Sequence, residues 1–151
     1  MTSMRLGLIT LALLLGSPAA VAAPNNFSVV IGSALVCQDQ VSSDYFNAYM
    51  QTHFGAPALN AGGANWWKVN ESIFNSSVEY VFVGRGLDFI GATFKETPDV
   101  LVKNVKGATG IEYKPLDLER WVAPTSGVLI RYYDRNTPSK MYCVGYPHTP
   151  N

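Results

Sequence analysis

The chain has 151 residues, 48% of them apolar, with 11 Lys plus Arg balanced by 11 Asp plus Glu. That length gives one ordinary domain with room for a real core. The charge balance lacks the footprint of a nucleic-acid binder, and no Lys/Arg cluster of the kind that holds anionic membranes occurs.

Residues 1–23 read as a secretory signal peptide. Met1–Arg5 is a short positive start, Leu6–Gly16 is apolar and Ser17-Pro18 breaks the run. Val21-Ala22-Ala23 then places small residues before Pro24, as a cleavage site would. The apolar run is shorter than the roughly 20 residues that span a bilayer, so no membrane segment is expected after cleavage. The leader holds one basic side chain, Arg5, and no acid, which leaves ten basic against eleven acidic side chains over 128 residues. The address is periplasmic or secreted. In such an oxidising compartment Cys37 and Cys143 read as a disulfide. A catalytic Cys37 with His53 or His148 is the rival, disfavoured because a secreted thiol with an available partner oxidises. Ala34-Leu35-Val36-Cys37 lies too far beyond the apolar region to be a lipobox.

Residues 27–37 are apolar and β-branched (Val29, Val30, Ile31, Val36) and predict a strand ending at the disulfide. Ser42-Ser43-Asp44 then offers caps for a helix over 43–54, with Phe46, Met50 and Phe54 on one stripe. Gly55 stops that helix and Pro57 prevents its resumption. Residues 55–64, with Gly62-Gly63, form a flexible connection. Strands follow at 64–70, 78–84 and 88–95, with Gly84-Arg85-Gly86 as a tight hairpin turn. Thr97-Pro98-Asp99 is the clearest local signal: a capping Thr, a Pro suited to the first helical position and an acid at the positive end. It predicts a helix over 98–106 with Leu101 and Val105 inward and Gly107 closing it. Strands recur at 110–114, 127–134 and 139–146.

The order predicts an α+β domain over 24–151: an antiparallel sheet with two helices on one face, built as two α-β-β-β units after an N-terminal strand. Tandem helix-plus-meander units resemble the β-lactamase-inhibitor protein family and the small outer-membrane assembly lipoproteins that share its architecture. The likeness covers most of the chain and rests on element order, not on a motif. Those inhibitor modules begin with a helical pair and carry internal disulfides, whereas each unit here reads as one helix and the disulfide joins the chain ends. The lipoproteins carry a lipobox cysteine that this chain lacks. A cystatin-like helix on a sheet fits almost as well. The resemblance implies protein binding on the open sheet face.

Metal chemistry needs several His, Cys or carboxylates at workable spacing, and only His53 and His148 are present. No G-x-S-x-G elbow, G-x-G-x-x-G or P-loop occurs. A paired-carboxylate hydrolase would draw on Glu79, Asp88, Glu96 and Glu112, which lie in or beside strands and read first as solvated charges. The sequons at Asn26, Asn70 and Asn75 are acceptors in a eukaryotic secreted protein and inert in a bacterium. The brief leader and low cysteine content lean bacterial.

Aromatic residues are the remaining signal. Trp66 and Trp67 are adjacent, so on a strand they point to opposite faces. Trp67, sharing a face with Val69, reads as core. Trp66, sharing a face with Lys68, reads as outward, either packing across strands or anchoring a ligand. Residues 115–126 form a connection longer than a usual hairpin loop. There Trp121 either folds back on the core or anchors an exposed recognition loop with Arg120 beside it. Tyr132, Tyr133, Tyr142 and Tyr146 enrich the C-terminal hairpin. The expectation is an exported, non-enzymatic binding protein such as an inhibitor, immunity factor or envelope adaptor. Its binding residues are Trp66, Lys68, Arg120, Trp121 and Tyr133, it has no cofactor, and its partner is a protein of the envelope or extracellular space. A small-ligand binder is the alternative, with a carboxylate-based hydrolase third.

Overall fold

The computed structural model describes residues 23–145. The expected leader, apart from Ala23, lies outside them, as do Tyr146 and His148. The fold is α+β, with three helices and one eight-stranded antiparallel sheet that is not closed into a barrel.

Residues 27–37 form no strand: Phe27–Leu35 is a helix, α1. A short apolar run does not declare its period. Here Phe27, Ile31 and Leu35, at i, i+4 and i+8, are buried while Val29 is 67% exposed, a helical stripe that no alternating strand would give. Gly32 lets the helix approach closely, since a Cβ there would press on Ile73 and Phe74 at 3.2 Å. The second helix, α2 (Ser43–Phe54), has the expected bounds. Ser42 Oγ accepts from the Tyr45 amide at 3.3 Å, and the Asp88 carboxylate accepts from the Ser43 amide at 2.8 Å, so two acceptors meet the helix's N–H end.

The connection over 55–64 is less irregular than its glycines suggest. It holds β1 (Leu59–Ala61), which Gly62-Gly63 turns back onto β2 (Ala64–Ile73). Both glycines have positive φ, 59° and 71°, the geometry of a primed hairpin turn. Next come β3 (Ser76–Gly84) and β4 (Phe89–Phe94). Residues 85–88 join them, a longer connection than the tight turn expected at Gly84-Arg85-Gly86. The third helix, α3 (Pro98–Thr109), places Pro98 and Asp99 in its first turn as the sequence predicts. Thr97 occupies the cap position without a side-chain bond, and the helix passes through Gly107 to end at Gly110, whose φ is 75°. Four short strands complete the chain: β5 (Lys114–Pro115), β6 (Arg120–Val122), β7 (Val128–Arg131) and β8 (Ser139–Val144). The long 115–126 connection is therefore largely a hairpin.

The repeat is thus corrected in both halves. The first has a helical pair and four strands, the second one helix and four strands. Each set of four is a meander, and the two join through β4 and β8 to give the order β1-β2-β3-β4-β8-β7-β6-β5. The register carries one row of side chains across six strands: Trp67, Val81, Ala92, Met141, Leu129 and Trp121. All six are buried. Together with Ile31, Leu35, Phe46, Met50, Leu101 and Val105 of the helices they belong to one core cluster.

Cys37 and Cys143 form the expected disulfide across 106 residues of sequence. It fastens the turn after α1 to the inner face of β8. Closing so long a loop stabilises by about 4–5 kcal/mol in the chain-entropy account. Urea unfolding with and without a reductant should accordingly show a loss of about 2–5 kcal/mol on reduction, and coincident curves would mean that the bridge constrains nothing.

Candidate functional site

Opposite the core row, the same strands present a second row outward: Trp66, Phe82, Gly91, Tyr142, Val128 and Val122. Beside it runs another, of Lys68, Tyr80, Thr93, Lys140, Ile130 and Arg120. A register shift between Val78 and Tyr80 adds one residue to β3 there. This bulge turns Glu79 and Tyr80 together toward the outer side while Val78 and Val81 stay in the core.

Trp66 is the centre of this face. Its ring stacks on Phe82 at 4.4 Å between centroids and meets Tyr80 edge-on at 6.2 Å. Its Nε1–H donates to the Ala61 carbonyl at 3.0 Å, which ties β1 down. Gly91 leaves the hollow that Phe82 fills, since a Cβ at Gly91 would overlap the Phe82 ring. Lys140 reaches over the cluster, its Nζ 4.0 Å from the Tyr132 ring centroid, 5.3 Å from that of Phe82 and 5.6 Å from that of Trp66. Ring faces are negative, so they attract the ammonium. No carboxylate among the described residues lies within ion-pair distance of it. The side chain is half-buried, and desolvation draws its pKa below the ordinary lysine value of 10.5.

A cleft of about 370 Å³ opens beside these rings, between the β1–β3 edge and the turn that joins β7 to β8. Trp66, Tyr80 and Tyr132 line it, together with the carboxyl-bearing residues Glu79 and Asp134. Asp134 Oδ1 accepts from the Asn136 and Thr137 amides at 2.8 and 3.3 Å, which fixes the turn.

The sequence-predicted site residues separate. Trp66, Lys68 and Arg120 do share the outer face, but Lys68 and Arg120 end a row six strands wide, about 24 Å apart at the usual strand spacing. Trp121 belongs to the core row and is only 8% exposed, so it packs rather than anchoring a recognition loop. Arg120 is held by its own hairpin, 2.7 Å from Asp117, and that hydrogen bond keeps the Asp117 carboxyl below the usual range. Tyr133 is 84% exposed and donates to Glu119 at 2.9 Å, a bond that raises its pKa. The cluster that does form adds Tyr80, Phe82, Tyr132 and Lys140. Plain alternation along the strand would put Tyr80 on the face of Val78, and the bulge that turns it outward has no sequence signal here. Asn26, Asn70 and Asn75, the sequon asparagines, are all exposed.

The chain matches no protein-family model, and neither the curated proteins nor the solved structures give a significant match.

Two outcomes follow from this packing. Gly91→Ala should destabilise by about 1–3 kcal/mol through overpacking and release Phe82 from Trp66, read as loss of near-UV circular dichroism. Retained ellipticity and stability would show that Phe82 has room to move. Lys140 should titrate below the ordinary lysine value when its ε-methylene shifts are followed from about pH 8 to 12. The unfolded chain then holds that proton more tightly, so stability from this group rises with pH between the lowered value and 10.5. Titration at or above 10.5 would mean that the rings outweigh burial.

Proposed function

We propose that this chain is an exported, non-enzymatic binding protein that takes a partner protein on the outer sheet face around Trp66. The observation that carries the proposal is the aromatic cluster itself. Trp66, Tyr80 and Tyr132 surround a cleft on the face that the core row does not use. Partly exposed, mutually packed aromatics are the side chains that supply large contact area at low entropic cost on binding. The disulfide supports an oxidising compartment. Among the described residues no helix is long and apolar enough to cross a membrane. The helical pair of the first unit supports the likeness to inhibitor modules, which implies binding on a sheet face.

A small-ligand reading is favoured by one observation, the cleft volume, which falls at the small end of the usual range for ligand pockets. The experiment immobilises the disulfide-bonded protein and two variants, Trp66→Ala and Trp121→Ala, and identifies captured envelope or supernatant proteins by mass spectrometry. Trp66→Ala should keep the fold and lose a saturable partner. Trp121→Ala should instead cost about 3–5 kcal/mol, as truncation of a buried Trp does. A partner retained by Trp66→Ala moves the interface elsewhere. No saturable partner, with a small molecule bound at the cleft, establishes the ligand reading instead.

A further inference from the structure

We infer that the cleft beside Trp66 is a receptor for one arginine side chain presented by the partner, an assignment that rests on the protein-binding reading and deepens it. Two properties of the cleft converge on a planar cation. Its walls are the rings of Trp66, Tyr80 and Tyr132, whose faces are negative. Its lining residues include Glu79 and Asp134, and neither carboxylate has a cation within ion-pair distance among the described residues. Its lining also includes Thr137, which is only 3% exposed and whose amide donates to Asp134.

The protein already demonstrates the chemistry next door. Lys140 lies over the Trp66 and Tyr132 rings, so two residues of the cleft's lining already hold a cation. That ammonium repels a second cation, and the Glu79 and Asp134 carboxylates attract one. A neutral polyol could stack on the same rings, but it would leave both carboxylates without countercharge. Guanidinium fits better than ammonium, because it stacks flat on rings and forks to carboxylates through fixed donors. The cleft volume of about 370 Å³ suits one side chain rather than a folded element.

The test titrates the ¹⁵N-labelled, disulfide-bonded chain with N-acetyl-arginine amide, its neutral isostere N-acetyl-citrulline amide, and maltotriose. The arginine probe should shift the Trp66 indole and the Asp134–Thr137 amides saturably in the millimolar range. Citrulline and maltotriose should bind at least about tenfold more weakly. Glu79→Gln combined with Asp134→Asn should weaken the arginine probe by about tenfold or more. Asn at 134 keeps the oxygen that accepts from Asn136 and Thr137, so the turn is preserved, as unchanged amide shifts away from the cleft would verify. Equal binding of citrulline, preference for maltotriose, or no saturable shift with any probe overturns the assignment. The two proposals fail separately. A captured protein that needs Trp66 but ignores the carboxylate variants overturns the arginine and keeps the face. Arginine binding without any captured protein overturns the protein partner and keeps a cation cleft.

Discussion

The pairing of β4 with β8 is the constraint on which the rest depends. Six residues of each strand are in register, from Phe89 opposite Val144 to Phe94 opposite Ser139. Through this seam two separate meanders become one sheet, and its register fixes which side chains face the core. Ile90, Ala92 and Phe94 on one strand, and Ser139, Met141 and Cys143 on the other, all turn inward. A slip by one residue would invert that pattern along the whole strand. The disulfide reinforces the same place, because Cys143 lies opposite Ile90 and ties the end of α1 to the seam.

Fixing the inner row fixes the outer one. Gly91 and Thr93 are the outward residues at the centre of β4, and both are small. Their flanking strands supply the bulk, with Phe82 filling the space above Gly91 and Lys140 lying across the rings. Aromatics over a strand glycine recover the packing that glycine lacks. The candidate site is thus a by-product of how the outer face compensates for its own hollow centre. That compensation leaves Trp66, Tyr80 and Tyr132 partly exposed around a cleft, the arrangement from which the proposed binding role is argued.

Polar contacts shape the periphery rather than the core. Asp88 serves the start of α2 from 45 residues away, which places the β3–β4 connection against the helix. Asn47 donates to the Gly84 carbonyl and accepts from Asn65, joining α2 to β2 and β3. By contrast, the Arg120–Asp117 and Arg131–Glu119 pairs are exposed and screened by water, so they order one hairpin locally and contribute little to the global fold.

The sequence by itself determined the pieces whose physics is local. Helix α2 is legible because Ser42 and Gly55 mark its ends and its apolar side chains recur at helical spacing. The start of α3 is legible because Pro98 suits only a first turn. The division between Trp66 and Trp67 follows from strand alternation alone, and the disulfide is the one pairing that two cysteines allow. What needed tertiary structure were the features in which local preference is neutral. The 27–35 run is apolar in either conformation, and only burial of its i, i+4, i+8 stripe against the sheet makes it a helix. Trp121 sits in a segment whose length suggests a loop, and pairing with β7 turns it inward. Tyr80, Tyr132 and Lys140 are separated by up to 60 residues of sequence. No periodicity brings them together, because cross-strand neighbours are decided by register and by one bulge, which depend on the assembled sheet.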